Sequence, residues 1–177
     1  MSDFIHLHVH TEYSIFKNTV KIRDLVLKAK EYGMKALAIT DIGNMIGVTQ
    51  FYNECVSNGI KPIIGCEFYI NLKGFYIKKK KNCAGRIILL AKNETGYKNL
   101  IRIASAPRQE KLFKKQISSF NFLKEHSEGL ICILSFHEKY NNFNSKKSAK
   151  VRMEKEVKTL SAIFNPENTY FELFETA

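Results

Sequence analysis

The sequence predicts an α/β domain whose parallel sheet is covered by helices. Two observations carry this. Short apolar runs alternate along the chain with segments of helical periodicity, and the connections between them are short. About five such units are legible, fewer than a closed eight-fold barrel needs. Either the sheet stays open, or the chain stops before a barrel closes.

Phe4 to Val9 alternates its faces and reads as a strand. Lys21 to Tyr32 sets Ile22, Leu25, Val26 and Ala29 at helical spacing, and Gly33 stops that helix. Ala36 to Thr40 is a short buried strand. Met45 to Ser57 is a second helix, with Asn44 as its cap and a stop near Gly59. Lys61 to Cys66 is the third strand. Phe68 to Leu72 and Gly74 to Ile77 read as a small hairpin, followed by a loop through Lys78 to Lys81 and Gly85. Arg86 to Ala91 is a fourth core strand. Thr95 to Ala104 is a helix that turns Leu100, Ile101 and Ala104 inward and stops before Pro107. Phe120 to His126 is a short helix and Leu130 to Ser135 a fifth core strand. Ser145 to Phe164 is a long basic amphipathic helix, and Tyr170 to Phe174 a last strand.

The chain has 177 residues, 45% of them hydrophobic, which suits one domain over residues 1–177 with a real core. The formal charge of +11 favours acidic partners, nucleic acid among them. The lysines are scattered, however, and only Lys78 to Lys81 form a block, so compositional bias explains the excess as well. Four cysteines lie far apart without a CxxC, which excludes a disulfide framework or a zinc knuckle. The start lacks a signal-peptide pattern, and no apolar run approaches a membrane span. A cytoplasmic chain with no membrane partner is expected.

Three places carry metal-binding chemistry. His6, His8 and His10 stand at alternate positions of the first strand, so alternation points all three imidazoles one way. Three neutral imidazoles on one face suit zinc or manganese. Asp41 stands at the mouth of the second strand, where it would bind a metal or cap the next helix. Glu67 follows the third strand in Gly65-Cys66-Glu67 and would be a carboxylate ligand or a surface residue.

With these residues in view, the chain resembles a family. The run His6-Leu7-His8-Val9-His10-Thr11-Glu12-Tyr13-Ser14 is similar to the opening of the PHP (polymerase and histidinol phosphatase) domain of bacterial DNA polymerase III alpha subunits. Leu37 to Met45, Gly59 to Glu67, Glu128 to Cys132 and Tyr170 to Leu173 continue the resemblance in order. Leu90-Ala91-Lys92-Asn93-Glu94-Thr95-Gly96-Tyr97-Lys98-Asn99-Leu100 is the most telling stretch, because it has no evident metal role. The resemblance implies a PHP-type distorted β/α barrel, here incomplete because the chain ends before the last β/α units. In intact members the barrel gathers up to three metal ions and hydrolyses phosphoesters, and some carry a 3′-5′ exonuclease activity.

The resemblance also implies damage to the metal site. His8, His10 and Glu67 match family ligands, with His6 and Asp41 as weaker candidates. Lys17 stands where the family has an acid, Ile42 and Arg86 where it has histidines, and Phe136 where it has a cysteine, with His137 beside it. Lys17 and Arg86 would bring positive charge to the cluster, while Ile42 and Phe136 offer no lone pair. The expectation is a degenerate site with no cofactor beyond weakly held zinc or manganese, and no efficient hydrolysis. Arg86 or Lys17 would pair with Glu67 in place of a lost cation. The implied role is structural, within a polymerase that performs DNA-templated DNA synthesis through residues not in this chain. Its implied partners are the rest of the alpha subunit, the proofreading exonuclease subunit, and DNA through the holoenzyme. The competing readings are a residual metal-dependent phosphoesterase or exonuclease, and a basic nucleic-acid-binding module. The latter would use the helix bearing Lys146, Lys147, Lys150, Arg152, Lys155 and Lys158.

Overall fold

A computed structural model of the chain describes residues 4–14, 18–70, 85–106, 116–117, 120–135, 154 and 157–173. Within them the order is α1 (Ile22–Glu31), β1 (Ala36–Ile39), α2 (Val48–Ser57), β2 (Lys61–Ile70), β3 (Gly85–Ala91), α3 (Glu94–Ser105), β4 (Gln116–Ile117), α4 (Phe120–Glu125), β5 (Leu130–Ser135), α5 (157–164), one 3-10 turn (Pro166–Asn168) and β6 (Thr169–Glu172). Periodicity placed most of these within a few residues. The residues expected in a hairpin divide: Phe68, Tyr69 and Ile70 continue β2, and the rest lie outside the described residues. So do Lys78 to Lys81 and, on the basic helix, Lys146, Lys147, Lys150, Arg152 and Lys155.

The strands run in the order β1-β2-β3-β5-β6, with β4 beside the end of β2. The path does not close into a barrel among the described residues. The expected all-parallel sheet needs correcting. β1 and β2 are parallel, as are β5 and β6, but β3 is antiparallel to both β2 and β5. A parallel return requires a crossover, usually a helix, and the sequence between β2 and β3 has no helical periodicity.

Each face of the sheet has its own cover. Cys66, Phe68, Ile70, Ile87, Leu89, Cys132 and Leu134 point one way, into a core completed by Leu100 and Ile103 of α3, Leu123 of α4, and Leu160 and Phe164 of α5. Beside it, Ile22, Val26 and Ala29 of α1 and Phe51 and Cys55 of α2 bury Leu37 and Ile39 of β1. The opposite face carries a small apolar floor of Ile88, Leu90 and Ile133. The polar cluster described below lies beyond that floor.

The stretch from Leu90 to Leu100 acquires a physical role here. Asn93 caps α3, its side chain accepting the Gly96 N–H at 2.9 Å. Gly96 then lies so close to Gly129 that a Cβ there would collide with the Gly129 carbonyl. That carbonyl accepts from Lys92 N–H at 2.8 Å, and Asn99 donates to the Glu128 carbonyl at 3.0 Å. The stretch therefore locks the β3–α3 turn onto the entry to β5. Asn93→Ala should cost about 1 kcal/mol, the usual worth of such a cap, read as a lower urea midpoint at unchanged slope.

Candidate metal centre

The register of the sheet assembles the site. Tyr69, Arg86, Ser135 and Glu172 are successive cross-strand partners on β2, β3, β5 and β6. Glu67, Ile88, Ile133 and Tyr170 form the adjacent row. Cross-strand partners share a face, so Glu67, Arg86 and Glu172 all project above the apolar floor. Residues 41–43 extend this arrangement past β1. Glu67 N–H donates to the Asp41 carbonyl at 3.1 Å and Gly43 N–H to the Glu67 carbonyl at 2.7 Å, with Ile42 bridged to Glu67.

The first segment supplies the histidines, but not as the regular strand that alternation predicted. Ala38 and Thr40 N–H donate to the carbonyls of His6 and Val9, at 3.0 and 2.8 Å. The donors are two residues apart and the acceptors three, so the segment holds one residue more than its partner, and it bends at His8. That extra residue breaks the alternation between His6 and the other two. His6 is exposed against Phe4, their rings edge to face at 4.8 Å, and it does not join the cluster.

His8, His10 and Glu67 do converge. Glu67 is fully buried, and its Oε2 accepts from Nε2 of His8 and of His10, each at 2.8 Å. The two Nε2 atoms are 3.3 Å apart. Arg86 Nη1 lies 3.5 Å from Glu67 Oε1, so a cationic side chain stands beside the carboxylate. Glu172 is the residue that sequence reasoning missed: its Oε1 accepts from His8 Nδ1 at 2.7 Å. Its strand was expected, but nothing local announces a partner 164 residues away.

Asp41 does not join the group of His8, His10 and Glu67 and does not cap the following helix. It is buried and accepts from Thr11 N–H at 2.7 Å and from the hydroxyls of Thr11 and Ser14. It thereby holds the turn that follows the histidines. Asn44 does not cap α2, which begins at Val48 with Gly47 as cap. Its side chain accepts from Ile46 N–H and donates to the carbonyls of Tyr13 and Ile42, pinning the same turn. Lys17, Phe136 and His137 lie outside the described residues.

The charges are mutually stabilised. Burial alone would lower the pKa of His8, but hydrogen bonds to Glu172 and Glu67 outweigh it and raise the group from 6.5 to about 9. Burial likewise opposes ionisation of Glu67, and the His10 and His8 bonds reverse that, bringing it down to about 2. Glu172 is lowered by His8 against its own burial. Between pH 6.5 and 9 the folded chain therefore holds a proton on His8 that the unfolded chain releases, so stability falls as pH rises through that window. Glu67 contributes above its ordinary 4.5 and loses its contribution as pH falls toward 2. Thermal unfolding should show a maximum between these windows, with a melting temperature about 5 °C lower at pH 9 than at pH 6.5.

The donor set fits one ion. Two imidazole nitrogens and a carboxylate oxygen, all within 4.8 Å of one another, are the ligand types zinc and manganese take. Ligands about 2.0–2.2 Å from a tetrahedral ion stand roughly 3.3 Å apart, so the 2.8 Å pairs need only a slight spreading. Among the described residues only this one group of candidate ligands is found, and Arg86 adds a positive charge beside Glu67.

The open sheet and its helical cover define a class of fold. A solved structure from Bifidobacterium adolescentis, of a protein provisionally named a metal-dependent phosphoesterase, shares that fold with a TM-score of 0.55. The match covers 88% of this chain and 75% of that one, at 12% identity. The chain belongs to the PHP domain family, which matches residues 6–176. Among its relatives are proteins named DNA polymerase III subunit alpha. The one from Treponema pallidum is 36% identical over 173 residues, which is 96% of this chain. The one from Borreliella burgdorferi is 43% identical over 134 residues, 74% of this chain. The matches span only 15% and 12% of those relatives' own lengths.

Proposed function

We propose that this chain is the PHP domain of a replicative DNA polymerase III alpha subunit and serves DNA-templated DNA synthesis as a structural and partner-docking element. The parent protein would be a nucleotidyltransferase, and this segment would neither polymerise nor hydrolyse efficiently. Its partners would be the rest of the alpha subunit and the proofreading exonuclease subunit, with DNA met through the holoenzyme in the cytoplasm. No described helix is long and apolar enough to cross a membrane. The observation that carries the inactive reading is Arg86 beside Glu67. A fixed guanidinium there supplies positive charge to the carboxylate and opposes entry of a divalent ion.

The test is elemental analysis after mild dialysis, together with nuclease and phosphatase assays in added manganese or zinc. The expected result is little bound metal and no turnover that depends on His8. Arg86→His, which removes the competing charge and adds a donor, should raise metal occupancy. Robust hydrolysis that disappears in His8→Ala would overturn the reading.

A second reading rests on the convergence of His8, His10 and Glu67. The domain would then be a residual phosphoesterase or 3′-5′ exonuclease holding one zinc or manganese ion. An ion bound there would polarise a phosphoryl oxygen and acidify a water. Near-stoichiometric metal in the unmodified chain would bring this reading forward.

A further inference from the structure

We infer that Glu172 is a positioning residue of this site: from β6 it fixes the Nδ1 proton of His8, so that Nε2 is the nitrogen offered to the position shared with His10 and Glu67. The inference rests on the reading that this position accepts a cation, and it adds a residue from the far edge of the sheet.

The geometry makes the two ends of the imidazole distinct. His8 Nδ1 is 2.7 Å from Glu172 Oε1, while Nε2 is 2.8 Å from Glu67 Oε2 and 3.3 Å from His10 Nε2. Only Nε2 faces other donors that an ion would use. A carboxylate on Nδ1 fixes both ring orientation and tautomer, and leaves the other nitrogen's lone pair for the ion. Glu172 can perform this because its strand is held to β5 in register, with Ser135 opposite it. Its side chain is 19% exposed, so the bond competes little with water.

The experiment compares the parent chain with Glu172→Leu, Glu172→Gln and Phe171→Ala. Leu removes the acceptor, Gln keeps an oxygen for the Nδ1 proton, and Phe171→Ala disturbs β6 at the neighbouring position, which faces the other side of the strand. Zinc affinity is measured by competition with a chelating indicator, and the ring nitrogens of His8 are followed by ¹⁵N NMR. Glu172→Leu should weaken zinc binding roughly 10- to 100-fold. Glu172→Gln should recover part of that, and Phe171→Ala should stay within about twofold of the parent. In the metal-free chain, the neutral form of His8 should carry its proton on Nδ1 in the parent and in Glu172→Gln, but not in Glu172→Leu. Unchanged zinc affinity and an unchanged tautomer in Glu172→Leu would overturn the inference. If the parent binds no zinc at all, the cation reading of the site fails on its own, and the tautomer decides the role of Glu172.

Discussion

Glu67→Ala is expected to destabilise the domain by about 3–5 kcal/mol, the range for removing one member of a buried ion-pair network. Glu67 has no exposed surface and receives His8, His10 and Arg86 together. Without it, the charges on His8 and Arg86 lose their shared counter-ion, and a cavity opens beside the apolar floor of Ile88 and Ile133. Glu67→Gln keeps an acceptor and much of the volume, so it should cost roughly half as much. At about 2–4 °C per kcal/mol for a chain of this size, the alanine variant should melt roughly 10 °C lower at pH 6.5. The difference between the two variants separates charge from packing. If both unfold like the parent, the cluster contributes nothing to stability.

Gly96→Ala is expected to cost about 3 kcal/mol or more, at or above the top of the range for overpacking a core. The added methyl would strike the backbone carbonyl of Gly129, which no side-chain rotation can move. Gly129 sits at φ 72°, a left-handed turn that fixes where its carbonyl points. Relief requires α3 to lift from β5, which would loosen Leu100 and Ile103 in the main core. Denaturant unfolding should show a lower midpoint, and hydrogen exchange should quicken along α3 first. Loss confined to a few tenths of a kcal/mol would mean the turn relaxes freely.

The sequence was informative where structure is local. Apolar periodicity located β1, β5 and α3 almost to the residue, because one buried face writes its period into the chain. Alternation also paired His8 with His10 correctly. It failed at His6, because the extra residue opposite Ala38 and Thr40 belongs to a pairing that no local pattern records. The direction of β3 was missed for a similar reason: an apolar run looks the same in either orientation. Asp41 was read as ligand or cap, and its hydrogen-bond partners, Thr11 and Ser14, come from a turn that no local pattern ties to it. Glu172 was invisible as a site residue because its role exists only once β6 lies beside β5.

The bond between His8 and Glu172 has a consequence for how the chain is made. The two residues are 164 positions apart, so on a ribosome the histidines emerge long before their carboxylate from β6. At about 5–20 residues per second the interval is roughly ten to thirty seconds. Throughout that time β1, β2 and Glu67 can assemble, while the ring of His8 keeps one nitrogen in water. The cluster is therefore completed only once β6 has emerged, and its final contact joins two segments made far apart in time.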